Sequence, residues 1–450
     1  MNLLLLLLIG LISAHAAVPT ELVEIARKNC RRGIIENSPR TSLKSGFSEQ
    51  DRAEFLVETP SKMIRNIKIM DEKKLNSANL AVAPWSDSYW PLYLGAIGNR
   101  YNDPQFAFND WKEAFDYITK NPASKLIKKK QFDSLSPAEK YDYLLHLPTG
   151  GLTNSNWNEG KFYFDENGSV ESWMGLCHGW AAASIMMPEP KRTVQVRTAD
   201  GSFPFYPSDI KALATLIWAK GQFNTRFVGG RCNQKDPSTD SMGRPNDEEC
   251  LDNNPGTWHM AIVNQIGQFK RSLVMDATYD YEVWNQPISG YDIQYYNPMT
   301  KTNAANLTGA IVPRKEFKND PRSKVRAPKS THVVGVKMSV RYVVETSPST
   351  EENQTTAIKT VKYEYDLELD KDLNIIGGEW YSDNHPDFLW VPDKSSFPST
   401  DGDSDVFDKT INLGAVNSEV IEYAKINAQN EIPFGPIVRI LVNQSLILEN

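Results

Sequence analysis

The stretch Glu171-Ser-Trp-Met-Gly-Leu-Cys177-His-Gly-Trp180-Ala-Ala-Ala-Ser-Ile-Met-Met187 sets a cysteine just after a glycine and ahead of a small-residue, helix-forming run. A thiol so placed stands at a helix N-terminus, where unpaired backbone N–H groups and the positive end of the helix dipole favour the thiolate. Ala181, Ala182 and Ala183 allow close packing against a neighbouring sheet, and Pro188 and Pro190 end the helix. A buried structural cysteine is the plainer reading of a lone thiol. The Gly and Trp neighbours, and two residues far downstream, favour a nucleophile instead.

Those two are His259 and Asp276. Residues 258–266 and 271–276 read as strands joined by a short turn, an antiparallel hairpin that would carry both side chains. In the chain order Cys177, His259, Asp276, the imidazole takes the thiol proton and returns it to a leaving amine, while the carboxylate holds the imidazole tautomer. The backbone N–H of Cys177 plus an indole, Trp157 or Trp173, would serve an acyl oxyanion, and Trp180 and Trp258 beside the first two residues are further aromatic candidates for oxyanion or substrate contacts. Asp280 and Asp292 are alternatives for the acid. His178 would point away from the neighbouring thiol along a helix, and His332 and His385 read as structural.

The chain has 450 residues, 40% hydrophobic and 23% charged, which is ordinary globular composition and long enough for two or three domains. A net charge of −7 argues against nucleic-acid partners. Residues 3–12 are an apolar run followed by Ser13-Ala14-His15-Ala16, so 1–16 reads as a signal peptide, and no other stretch is long enough to span a bilayer. The expectation is a secreted or periplasmic protein, with oligomeric state left open. Cys232 and Cys250 bracket a polar loop that burial alone would not hold, so they are paired as a disulfide, and Cys30 is left single. No Cys/His spacing for zinc is present.

Along the chain, 17–146 reads as an N-terminal helical region and a candidate lid or pro-region, with a capping box at Ser136-Pro-Ala-Glu139 and an aromatic run, Pro84-Trp-Ser-Asp-Ser-Tyr-Trp90-Pro-Leu-Tyr93. Residues 147–320 form the catalytic core, with a helix over 207–222. A β-rich part, 321–450, has strands over 333–345, 360–369 and 375–380, a helix over 418–428 and a last strand over 437–442. The fold class is α+β.

Cys177-His-Gly-Trp180, the His259 and Asp276 pair, and above all Val283-Trp284-Asn285-Gln286-Pro287 resemble the transglutaminase elicitor family, secreted oomycete cell-wall transglutaminases and their bacterial relatives. Residues 135–142, Ile376-Gly-Gly-Glu-Trp380 and His385-Pro-Asp-Phe-Leu-Trp390 are similar too. In the oomycete members the Val-Trp-Asn-Gln-Pro peptide is what plants recognise as foreign; here Ile-Ser-Gly-Tyr follows Pro287, without the basic residue that precedes the Gly there. Where animal transglutaminases place Trp directly after the nucleophile, this chain has His178. The resemblance implies a papain/transglutaminase-like catalytic core, a Cys177 thioester, and glutamine- and lysine-bearing protein substrates. It also carries calcium as a cofactor that some members use; the sequence itself requires none, since Asp401, Asp403 and Asp405 lack the Gly and Glu positions of a calcium loop.

Three functions compete. Resolution of the thioester by an amine makes a protein-glutamine γ-glutamyltransferase. Resolution by water makes a cysteine protease or glutamine deamidase with the same triad. An idle surface or adhesion protein would keep the fold alone.

Overall fold

Alternation along two consecutive strands of the C-terminal half organises the architecture: Val334, Val336, Met338 and Val340 face one core, and Tyr363, Tyr365, Leu367 and Leu369 join them from the next strand. The computed structural model describes residues 51–147, 151–198, 201–247, 250, 253–278, 280–382, 384–406 and 411–447. The expected signal peptide and Cys30 lie outside these residues. The helices are α1 (Ile67–Glu72), α2 (Trp111–Lys120), α3 (Ala123–Lys128), α4 (Pro137–Leu144), α5 (Leu152–Asn167), α6 (Cys177–Met186), α7 (Pro207–Lys220), α8 (Pro255–Ile262), α9 (Leu307–Ala310), α10 (Ser418–Gln429) and α11 (Gly435–Ser445). The strands are β1 (Ser77–Asn79), β2 (Val194–Thr198), β3 (Gly201–Phe205), β4 (Thr225–Gly229), β5 (Val274–Asp276), β6 (Asn285–Asn297), β7 (Thr302–Asn303), β8 (Ile311–Pro313), β9 (His332–Val343), β10 (Ile358–Leu369), β11 (Ile375–Trp380) and β12 (Phe388–Pro392).

One curled antiparallel sheet runs β11-β10-β9-β6-β5-β12-β4, with β1 and β7 added to β6 and β8 to β9. β6 is its longest strand and holds both ends together. Its first residues pair with β5, and from Ile288 onward it pairs with β9. The register shifts between Ile288 and Gly290, where β1 crosses so closely that a Cβ on Gly290 would lie 2.3 Å from Asn79 Oδ1. The β-rich C-terminal part thus shares its sheet with the strand that carries Asp276.

The sheet has helices on both faces. Val274 and Trp390 belong to one core with Trp180 of α6 and most of α7, whereas Met275 and Leu389, their strand neighbours, belong to the other with Trp258 and Met260 of α8. The N-terminal region is built into the first of these cores: Trp85 and Trp90 are buried in it, Tyr141 of α4 accepts the Phe434 N–H at 2.7 Å, and Lys140 pairs with Asp209 of α7 at 2.6 Å with both side chains fully buried. The capping box at α4 forms as expected, Glu139 N–H to Ser136 Oγ at 3.1 Å and Ser136 N–H to Glu139 Oε2 at 3.0 Å.

Two expected strands are helices. Residues 258–266 lie in α8 and the π-helical turn Val263–Gln268 that continues it, so the hairpin with 271–276 does not form; β5 pairs with β6 and β12 instead. Every residue of α8 is buried, so its apolar run carries no helical period, and the deciding signal is local: Pro255 at the first turn and Asn254, whose Oδ1 accepts the Gly256 N–H at 2.8 Å. Residues 437–442 lie in α11, where Pro436 again opens the helix and Ile437, Val438, Leu441, Val442 and Ser445 make the buried face.

Candidate active site

Cys177 is the first residue of α6, and small residues bring that helix in close. Ala181, Ala182 and Ala183 are fully buried, and a Cβ on Gly179 would stand 2.3 Å from Thr215 O and 2.6 Å from the Ala219 Cβ of α7. Upstream, the Leu176 N–H donates to the Tyr89 carbonyl at 2.6 Å, so the aromatic run of the N-terminal region seats the nucleophile helix. The thiol is only 4% exposed.

Its partners come from the Val283–Pro287 motif. The thiol lies 3.6 Å from the Val283 carbonyl, and the Asn285 side-chain amide donates to Sγ at 3.4 Å. The Asn285 Oδ1 in turn accepts the Trp390 indole N–H at 2.8 Å. Asn285 is the cross-strand partner of Asp276, so both side chains lie on the α6 face of the sheet. Asp276 is fully buried; its Oδ1 accepts from Trp284 N–H at 2.9 Å and Thr278 Oγ1 at 3.0 Å, while Oδ2 has no hydrogen-bond partner among the described residues.

Electrostatics departs from the simple helix-dipole expectation. Burial pushes the Cys177 thiol up to about 11, against the pull of the Asn285 side-chain and backbone donors, and the charges of Glu345 and Asp276 raise it further. Burial likewise pushes the Asp276 carboxyl up to about 7, ahead of its Trp284 and Thr278 hydrogen bonds and the Arg231 charge, which lower it. The resting site is therefore a neutral thiol beside a carboxyl that titrates near neutrality.

His259 is elsewhere. It sits on α8, in the core of the opposite sheet face, fully buried, with Nδ1 2.9 Å from the Tyr365 hydroxyl and Nε2 without a partner among the described residues. Burial pushes its imidazole down to about 3, so it is neutral throughout the physiological range. The structure thus sets Cys177 and Asp276 on one face of the sheet and His259 on the other, because the segment that carries the imidazole is a helix under the sheet and not a strand beside β5. His178 turns toward α7, its Nε2 3.4 Å from the Ala219 carbonyl.

The indoles separate in the same way. Trp157 is buried in a cluster of its own with Trp111 and Ile118, Trp180 donates to the Trp85 carbonyl at 3.0 Å, and Trp258 packs edge-on to Tyr363 beneath the other sheet face. None of the three faces the thiol. Trp173 is half-buried, bonded to Glu171 at 2.6 Å, edge-on to Tyr281 and under the Arg231 guanidinium. Nearer Cys177 stand Tyr89, from the aromatic run read as a possible cover of the cleft, against Trp284 with ring centres 5.4 Å apart, and Glu345, which sequence reasoning did not single out and which accepts from Gln286 Nε2 at 2.7 Å. Tyr89 lies in the aromatic run and Trp284 and Gln286 in the quoted motif, which were the available signals.

The disulfide Cys232–Cys250 is present, with Cα atoms 4.5 Å apart, and Cys177 is the one free thiol among the described residues. The Asp401–Asp405 carboxylates do not converge as calcium ligands: Asp403 accepts from Thr400 Oγ1 at 2.6 Å and Asp405 from the Tyr423 hydroxyl at 2.7 Å. No cluster of three metal-ligating side chains occurs among the described residues.

A thiol leading a helix that packs over the interior strands β6 and β12, with a raised carboxyl on the same face of the sheet, is an arrangement that thiol-dependent acyl chemistry can use. Residues 60–406 match the model of the transglutaminase elicitor family, and the chain belongs to that family. Its fold is similar to the crystal structure of the GP42 transglutaminase from Phytophthora sojae, with a TM-score of 0.54 and 20% identity over 85% of this chain and 99% of that one. No curated protein matches the sequence. No described helix is long and apolar enough to cross a membrane.

Proposed function

We propose that the protein is a transglutaminase-type acyltransferase that joins glutamine and lysine side chains through a thioester on Cys177. The observation that carries this reading is the buried thiol at the N-terminus of α6, facing the Val283–Pro287 motif with Asp276 across the strand pair. In the first half-reaction Sγ bonds to the carboxamide carbon, the thiol proton passes to Asp276, and the carbon–nitrogen bond breaks as ammonia leaves with that proton. In the second, a lysine amine attacks the thioester carbon, the carbon–sulfur bond breaks, and the proton lost by the amine returns through Asp276 to sulfur.

Asp276 takes the role of base in place of His259 because it lies on the thiol's face of the sheet with one oxygen unengaged, whereas Glu345, the other acid near the thiol, accepts from Gln286. A helix-borne thiol set against a sheet is also what supports the papain/transglutaminase-like description of the core. The burial of Cys177 and the Tyr89–Trp284 rim favour an amine over bulk water as the second substrate. No step is routed through calcium, for which the described residues offer no cluster of three acidic or other ligating side chains. Residues 1–16 act as a signal peptide in this reading, and the Cys232–Cys250 disulfide fits an oxidising compartment.

Incubation with a glutamine-bearing protein and a labelled primary amine tests it. Wild type should incorporate the amine and release ammonia, and Cys177→Ala should do neither while keeping its circular dichroism. Ammonia without incorporation would make the protein a deamidase; retained activity in Cys177→Ala would end the assignment.

A further inference from the structure

Asn285 and Trp390 take no part in the proton transfers above, yet between them they determine the side-chain donor that the sulfur meets alongside the Val283 carbonyl. An indole N–H only donates, so the amide atom of Asn285 that faces Trp390 at 2.8 Å is the oxygen, and the nitrogen faces sulfur at 3.4 Å. Both residues are buried, 4% and 8% exposed, which leaves the amide no competing water. The backbone fixes the pair as well. Asn285 leads β6 and is paired to Asp276 of β5; Trp390 is paired to Val274 on the other side of β5, so the indole reaches over that strand to hold the amide.

A neutral thiol is a weak acceptor, and an amide donor gains little from it. The same donor against a sulfur anion makes a charge-assisted bond, stronger by about a factor of two. An interaction that strengthens only as the proton leaves lowers the barrier, because it favours the reacting state over the resting one. We propose that Asn285 is a catalytic residue whose side-chain amide stabilises the Cys177 sulfur anion, and that Trp390 is its positioning residue, locking the amide so that nitrogen and not oxygen is presented. This gives chemistry to two segments that carried only resemblance, the third residue of Val-Trp-Asn-Gln-Pro and the last of His385-Pro-Asp-Phe-Leu-Trp390.

The proposal rests on Cys177 as the reacting thiol, but its test does not need acyl transfer. The rate of Cys177 alkylation by iodoacetamide, followed by peptide mass spectrometry across pH, reports the thiol–thiolate equilibrium in the full-length protein. In Asn285→Leu, which keeps the volume and removes the donor, the midpoint should rise by about one pH unit, a tenfold loss of thiolate at fixed pH. Trp390→Phe keeps the ring and removes only the N–H; the midpoint should move the same way, with amine incorporation falling through kcat and KM little changed. If Asn285→Leu does not fold, Trp390→Phe carries the test. Unchanged alkylation midpoints in variants that merely melt earlier would reduce the pair to a core hydrogen bond and overturn the proposal. A wild type that alkylates normally but incorporates no amine would instead sink the acyltransferase reading and leave this one standing.

Discussion

Replacing Asp276 with asparagine should slow turnover and, in the same molecule, strengthen the fold at alkaline pH. The carboxyl has an ordinary value of 3.8 and is raised to about 7 in the folded chain, chiefly by burial. Because the folded value is the higher, protonation favours the fold: the contribution is complete below 3.8 and is lost as pH rises through about 7. That span corresponds to a loss on the order of 4 kcal/mol, of which roughly two-thirds falls between pH 5 and pH 8. Asparagine keeps an oxygen for the Trp284 and Thr278 donors but sets an NH2 where Oδ2 has no partner, a cost of about 1–3 kcal/mol at every pH. Relative to wild type, the stability of Asp276→Asn from urea titration should therefore rise by roughly 3 kcal/mol from pH 5 to pH 8. Amine incorporation should fall by orders of magnitude at both, and wild-type activity should climb with pH through about 7 as the base ionises. A stability difference that is the same at pH 5 and pH 8 would refute the burial argument, and near-wild-type turnover would remove Asp276 from the chemistry.

His259→Gln should leave the pH–activity profile between 6 and 8 unchanged while lowering stability by about 1–2 kcal/mol through the Tyr365 hydrogen bond; a kcat collapse in a variant of unaltered melting temperature would return the imidazole to the reaction. Gly179→Ala places a Cβ 2.3 Å from Thr215 O, so α6 must move off α7. Thermal unfolding should show a loss of about 1–3 kcal/mol, and amine incorporation should fall because Cys177 rides on that helix. An equally stable and fully active variant would mean that the two helices are not held as described.

The legible parts of this chain are those where one physical signal dominates. The alternation of apolar with polar residues, valines along β9 and tyrosines and leucines along β10, reads directly as strand because each face has a different neighbour. The Gly and Ala spacing around Cys177 announces a helix that packs closely, and the polar loop between Cys232 and Cys250 announces its own closure. The misread parts are apolar runs. Every residue of α8 is buried, so period disappears there, and within residues 437–442 of α11 only Arg439 interrupts the apolar run, so Pro255 and Pro436 at the first turns are what mark the helices. With α8 taken for a strand, His259 fell on the wrong side of the sheet. The role of Asn285 had no sequence signature, since an uncharged amide acquires meaning only from the sulfur on one side and the indole on the other.

The placement of β6 bears on what an outside observer of this protein meets. Residues 285–291, the part of the motif strand that follows Val283 and Trp284, are all buried, and the chain emerges only at Asp292 and Gln294. An antibody raised against a synthetic peptide of residues 283–294 would accordingly capture boiled or proteolysed protein and pass over the native molecule. For any receptor that reads residues 285–291, the signal is the unfolding of the protein.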